Sequence, residues 1–353
     1  MRILIATDAW HPQVNGVVRS LEQTARELRK LGTQVEFLTP AAFRTVPMPT
    51  YPDIRLALLT PGMAARHLDA VAPDYVHIAT EGPLGIMMRR ACLNRGRVFT
   101  TSYHTRFPEY LSARAPVPER LSYAWLRHFH NAGAGVMVST ATLEHELRAR
   151  GFRTLLRWSR GVDAELFRPR PERDLAAELG LPRPLFLSVG RVAVEKNIEA
   201  FLALDLPGTK LVVGDGPARA ELEARYPDAR FLGMLEGEAL ARIYAGADVF
   251  VFPSLTDTFG IVLLEALASG LPVAAFPVAG PKDVIGTAPV GVLDGDLRAS
   301  ALGALKLDRD EARAFALRQS WESSARQFLA NVIEAQSRPR QAAPFRLRRA
   351  RAG

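Results

Sequence analysis

The sequence predicts two doubly wound α/β domains in tandem, facing each other across a cleft. Short β-branched runs alternate with helical stretches along the chain, which is the pattern of parallel strands covered on both faces. The pattern occurs twice, and 353 residues with 48% apolar side chains are enough for two cores of about 100 to 200 residues each.

In the first half the strands read "RILIAT", "QVEFLT", "YVHIAT", "RVFTTSY" and "GVMVST", with helices such as "GVVRSLEQTARELRKLG" between them. At "VDAELFRPRPERD", residues 162–174, Pro, Arg and acidic residues replace the periodic pattern and mark a boundary. The second half resumes with "PLFLSVG", "KLVVGDG", "ARFLG", "ADVFVFPS" and "PVAAFPV". The expected division is a first Rossmann-like domain over 1–165 and a second over 166–310. One long amphipathic helix, "DEARAFALRQSWESSARQFLANVIEAQ", fills 311–337 and packs back towards the first domain. The remaining 338–353 form a basic tail. In "SRPRQAAPFRLRRARAG" six Arg and two Pro without an acid predict disorder.

Apolar stretches break well before the roughly 20 residues of a spanning helix, and "RILIATDAW" reads as a strand entering a turn, not as a leader. Cys92 is the one cysteine. It excludes an intramolecular disulfide, fits a reducing cytoplasm and reads as a packing residue. The net charge of +8 is segregated: residues 1–165 hold 21 Lys and Arg against 14 Asp and Glu, 166–310 hold 15 against 20, and 311–353 hold 9 against 3. Basic flanks around an acidic module suit an anionic membrane surface. "YHTRFPEYLSARAPVPERLSYAWLRHFH" interleaves Arg with Tyr, Phe, Trp and Leu, a composition suited to an interfacial segment. No nucleic-acid partner is expected, because zinc-finger, helix-turn-helix and aromatic-interleaved basic runs are missing.

Ligands of open α/β sheets bind where strands end and helices begin. In "DAWHPQVNGVVRS" Asn15 can cap a helix and Gly16 lets a ligand approach its N–H groups. In "SVGRVAVEKN" a buried strand runs into Arg191 and then Lys196, two cations able to neutralise a diphosphate or to stay solvated. "VVGDGPAR" has Arg219 where a dinucleotide fingerprint needs glycine, so it reads as a tight turn lining the cleft. In "FPSLTDTFGIVLLEALASGLPVAAF", residues 252–276, a helix from about Phe259 to Ser269 is apolar on every side and therefore buried. It carries Glu265. A buried carboxylate needs donors, either an Arg elsewhere in the core or the hydroxyls of a ligand. Asp257 lies at the positive end of that helix, as a cap or as a ligand group. Eight residues from Glu265, it is within about two turns of it.

These motifs, in order, with "GPKDVI" and "SYHTRFPEYL", resemble a glycosyltransferase of family 4, and closely its bacterial branch of α-mannosyltransferases and diacylglycerol glycosyltransferases. The likeness runs from residue 1 to about 335. It implies the GT-B fold, with the first domain on the acceptor side and the second binding the nucleotide-sugar, and retaining transfer of a mannose- or glucose-type hexose from a UDP- or GDP-sugar to a lipid or glycan acceptor. It also implies residue roles. Arg191 and Lys196 would hold the diphosphate and Glu265 the ribose. Asp257, with the backbone of Thr258, Phe259 and Gly260, would bind the hexose and distal phosphate. His104 would face the transferred sugar, and Gly16 would lie near the phosphates. The two cations and helix N-termini can stabilise the leaving group, so neither metal nor cofactor is expected. The sequence departs from the family pattern at Asp257, where Glu is usual, and at Asn197, where Gly often follows the lysine. A related-fold epimerase or phosphorylase and a non-catalytic sugar-nucleotide binder are the alternatives. The enzyme is expected in the cytoplasm, peripheral on the inner membrane face, with no oligomeric state specified.

Overall fold

A computed structural model describes residues 1–12, 15–48, 51–112 and 117–337. The tail expected over 338–353 lies outside them. The strands are β1 (Arg2–Ala6), β2 (Gln34–Leu38), β3 (Thr45–Met48), β4 (Tyr51–Ala57), β5 (Tyr75–Ile78), β6 (Thr100–Ser102), β7 (Gly135–Val138) and β8 (Leu155–Arg157) in the first half. The second half contributes β9 (Leu185–Val189), β10 (Thr209–Val213), β11 (Arg230–Phe231), β12 (Val249–Phe252), β13 (Val273–Ala275) and β14 (Gly291–Leu293).

Two six-stranded sheets result, in the orders β2-β1-β5-β6-β7-β8 and β11-β10-β9-β12-β13-β14, and every pairing within them is parallel. The second follows the doubly wound order 3-2-1-4-5-6. Both sheets reverse their winding direction once, between β1 and β5 and between β9 and β12. At such a switch point neighbouring loops leave in opposite directions and open a crevice. Full burial of Val249–Phe252 explains its unbroken apolar run, since helices cover both of its faces.

Four features escape the sequence reading. The antiparallel hairpin β3–β4 holds Pro47 and Pro52, which read as breakers; outside the main sheet, a two-stranded ribbon tolerates them. β8 and β14 are three-residue edge strands whose residues are mostly half-buried, so neither stands out as a buried apolar run. The stretch read as one terminal helix is two, Arg309–Leu317 and Trp321–Ser337. The break at 318–320 lets the chain cross between the cores, where Val162 N–H bonds to Gln319 O at 2.9 Å. Gly161 permits this crossing, because a Cβ there would lie 2.2 Å from Trp321 N. Ala312 and Ala316 then join the second core. Ala325, Phe328, Val332 and Ala335 join the first, beside Ile3, Ile5 and Trp158. Asn331 donates to Arg157 O (2.7 Å) and Trp158 to Ser324 (3.1 Å), so the last helix is part of the first domain's core.

Candidate active site

The switch point of the second sheet holds the first cluster. After β9 the chain passes Gly190 and Arg191 into a short turn, Val194–Lys196, closed by Asn197 at φ 53°. Asn is the side chain that best tolerates this left-handed conformation, so it can stand where glycine is usual. It also ties the turn to the neighbouring strand through Pro253 O (3.0 Å). From β12 comes Asp257, whose Oδ1 accepts from Lys196 Nζ at 2.5 Å. Its Oδ2 is buried without a partner among the described residues, and so Asp257 caps nothing. Lys196 and Asp257, 61 residues apart in the chain, meet because β9 and β12 are neighbours. The "VVGDGP" turn packs on this loop: a Cβ at Gly214 would meet Gly190 O at 1.9 Å, and at Gly216 Val192 O at 2.4 Å. Glycine is required there by close backbone approach, not by a dinucleotide.

The loop 257–260 also touches the first domain. Thr258 Oγ1 donates to His104 O (2.7 Å), and Thr258 O accepts from Ser139 Oγ (3.0 Å). Thr142 N–H bonds to Asp283 Oδ1 (3.0 Å). Gly280 comes close to the loop, with a Cβ position 3.0 Å from Phe259 O and 3.2 Å from Asp257 O. The half-buried Phe259 side chain packs against the second core. Gly260, at φ 83°, turns the chain into the helix Ile261–Ala268.

Glu265 is 4% exposed. Its donors are Arg19 Nη1 (3.1 Å) and Tyr244 OH (3.1 Å). Arg19 comes from the first domain, on the helix Gly16–Lys30, whose start is fixed by Asn15 Oδ1 accepting from Val17 and Val18 N–H. Burial pushes the Glu265 carboxyl up, against the pull of Arg19 and Tyr244. Tyr244 is pushed up in turn by burial and by Glu265. Glu265 and Arg19 line a cavity of about 270 Å³ with Asn15, Glu22, Asp163 and Ile261. Arg191, Lys196, Asp257 and His104 do not line it, and Asp257 lies before the helix begins, so the expected two-turn spacing from Glu265 is not a shared helix face. Gly16 sits opposite Ile261, its Cβ position 3.8 Å from Ile261 Cδ1. The structure therefore joins Lys196 to Asp257, Thr258 to His104, and Glu265 to Arg19. Sequence reasoning missed Arg19, Tyr244 and Ser139. Arg19 stands in the quoted "GVVRS", but pairing across 246 residues is set by topology.

His104 follows β6 and sits at the domain junction. Arg160 Nη2 reaches its Nδ1 at 3.2 Å, and Trp158 packs on it edge-on with centroids 5.7 Å apart. Burial and the Arg160 charge hold its pKa well below the ordinary range.

Comparison with known proteins decides the family. Residues 14–166 match the model described as Glycosyltransferase Family 4, and 183–310 that described as Glycosyl transferases group 1. The chain is 34% identical over 316 residues to a GDP-mannose-dependent alpha-mannosyltransferase of Mycobacterium tuberculosis, covering 83% of each chain.

The chain belongs to glycosyltransferase family 4.

This glycosyltransferase is also 27% identical to the alpha-monoglucosyldiacylglycerol synthase of Streptococcus pneumoniae, over 95% of this chain and 85% of that one. In fold it matches Anabaena Alr3699/HepE, solved in complex with UDP and glucose, with a TM-score of 0.73, 16% identity and coverage of 95% and 100%. Its two parallel-sheet domains are the GT-B fold. Two Asp-x-Asp triplets occur in the chain, Asp294-Gly295-Asp296 and Asp308-Arg309-Asp310. Asp296 and Asp308 cap the helices Leu297–Ala304 and Arg309–Leu317. Among the described residues no group of three His, Cys, Asp or Glu is placed to hold a metal ion.

Proposed function

We propose that this glycosyltransferase moves a mannose- or glucose-type hexose from a GDP- or UDP-sugar to a lipid or glycan acceptor, with retention and without a metal. The observation that carries the reading is the meeting of Lys196 and Asp257 at the β9/β12 switch point, with Asp257 Oδ2 buried and unpartnered among the described residues. A buried carboxylate oxygen without a donor is costly in an empty cleft and useful in one that receives hydroxyls. Lys196 and Arg191, at the same strand end, would oppose the charge that develops on the departing diphosphate, with the loop 257–260 and the helix after it adding backbone dipoles. Glu265 would hold the ribose, sharing Arg19 and Tyr244 as it does so. The acceptor proton would pass to a phosphate oxygen of the leaving group, so no protein base is needed.

The relatives support both halves of the reading. One is named for GDP-mannose and another for a glucosylated diacylglycerol. A membrane acceptor also suits the surface. The helix Glu119–His130 buries Tyr123, Leu126 and Phe129, yet exposes Leu121 and Trp125 at 58% and 42%, beside exposed Arg120 and Arg127. Leu121, Trp125 and His128 form one outward stripe that could lie in a bilayer interface on the cytoplasmic side. Among the described residues no helix is long and apolar enough to cross a membrane. The test is mass spectrometry of lipids and glycans from a heterologous host expressing the chain or its Lys196→Ala variant. A new hexosylated product with the wild type alone is expected; none with either would refute the reading.

A further inference from the structure

Among the described residues Arg160 has no carboxylate partner. It is 5% exposed, and among the described residues its contacts are Trp158 O at 2.6 Å, Ser159 O at 3.1 Å, the Trp158 ring at 4.0 Å and His104 Nδ1 at 3.2 Å. Burial lowers its pKa to about 9, which leaves it cationic at neutral pH. A guanidinium carries five N–H groups and no acceptor. The atom facing it must therefore supply a lone pair, and Nδ1 of His104 can do so only when it carries no proton. A neutral imidazole then has its proton on Nε2. An imidazolium would set N–H against N–H. The titratable groups that act on His104 are Arg160, His77 and His130, none of which favours a second proton. Nε2 itself is buried without a partner among the described residues, while the backbone carbonyl of the same residue is bonded to Thr258, next to Asp257.

We propose that Arg160 is a positioning residue that locks His104 as the neutral Nε2–H tautomer, making it a hydrogen-bond donor to the sugar-nucleotide and not a general base. With Nδ1 occupied by Arg160 and Nε2 already protonated, His104 has no free lone pair with which to take the acceptor's proton. A buried N–H with no protein partner is satisfied by a ligand acceptor, a hexose hydroxyl or a phosphate oxygen. This rests on the donor site proposed above.

The tautomer can be measured without activity. In the ¹⁵N-labelled full chain, long-range ¹H–¹⁵N spectra resolve the imidazoles, and His104→Gln assigns the one of interest. The expected signal is a protonated Nε2 with a bare Nδ1, unchanged between about pH 5 and 8; a proton on Nδ1, or titration in that window, overturns the lock. Arg160→Met should free the ring to exchange tautomers and titrate, with Arg160→Lys, which keeps a cationic donor, retaining more of the lock. A ring unaltered in Arg160→Met shows that the arginine is merely structural; if that variant does not fold, the wild-type and Arg160→Lys spectra decide. Turnover of GDP-mannose and UDP-glucose at saturation supplies the second arm. His104→Phe should lose about 10- to 100-fold in kcat, and His104→Gln, which keeps an N–H donor but cannot carry a proton, should retain part of it. Equal losses in the two variants favour a base and overturn the proposal. A locked ring with full activity in His104→Phe overturns the donor role alone. Unchanged turnover in His104, Lys196 and Glu265 variants alike overturns the site assignment beneath it.

Discussion

The pair between Arg19 and Glu265 makes an asymmetric prediction about stability. The Glu265 side chain is 5% exposed and that of Arg19 is 32% exposed. Removing the arginine strands a buried carboxylate, whereas neutralising the carboxylate leaves a guanidinium that water can reach. The loss in Arg19→Met has a ceiling, because the carboxyl can escape by taking a proton. From its ordinary value of 4.5 to neutral pH is about 2.5 units, or about 3 kcal/mol. Glu265→Gln keeps an oxygen for Arg19 and turns an amide NH2 towards Tyr244 OH, a hydroxyl that can accept as well as donate, and should cost less than about 1 kcal/mol. In Arg19→Met the folded chain holds a proton that the unfolded chain releases above 4.5. Its penalty therefore grows with rising pH and shrinks by up to about 1.4 kcal/mol for each unit the pH falls towards that value. Urea midpoints for both variants at two pH values, with and without GDP or UDP, check this. Equal penalties in the two variants, or a penalty for Arg19→Met that ignores pH, would refute the reasoning. A Glu265→Gln protein that melts lower yet binds nucleotide as the wild type does would make the carboxylate purely structural.

Arg191→Ala and Lys196→Ala should each lose about 2 to 4 kcal/mol of transition-state stabilisation, a fall of about 100-fold or more in turnover at saturating donor; wild-type turnover in either removes it from the diphosphate site. His77 is fully buried between Thr100 and Ser102 hydroxyls, each at 2.9 Å, and burial lowers its pKa from 6.5 to about 3. Unfolding restores its basicity, so below 6.5 the unfolded chain binds the extra proton and stability falls with pH, by about 2 kcal/mol at about pH 5. His77→Gln should flatten that part of the denaturation curve, and an identical slope in the variant would show that other groups carry it. Trp125→Ser with Leu121→Ser should weaken co-sedimentation with anionic vesicles at low salt. A truncation after Gln336 tests the basic tail in the same assay. Equal binding of the full chain to neutral and anionic vesicles, or none at low salt, would move the acceptor towards a soluble saccharide.

The architecture was legible because the central strands of both sheets are buried on both faces, and β9 and β12 announce themselves as apolar runs ending in Gly or Pro. What the sequence hid were the half-buried edge strands β8 and β14, and the break at 318–320, where Arg318 and Gln319 continue a helical composition. That break is set by tertiary structure, since Ser320 bridges Val162 where the chain crosses between domains. At the site, the need of Glu265 for a donor was readable from burial alone. The identity of that donor was not, because Arg19 is brought to it by the facing of two domains. Arg160 was hidden for a related reason. In "SRGVD" it looks like one more of the many arginines of a basic first half, and only burial without a carboxylate sets it apart.

The central claim, transfer of a hexose from a nucleotide sugar with retention, is tested most directly by the anomeric configuration of the product. The purified chain would be given GDP-mannose or UDP-glucose with a diacylglycerol-containing lipid extract, without added metal and with chelator present. Nucleoside diphosphate release would be followed alongside the proton NMR spectrum of the glycosylated product. The account predicts release that requires Lys196, insensitivity to chelator, and a product whose new glycosidic bond keeps the donor's α configuration. A β-linked product, or release abolished by the chelator, would contradict it.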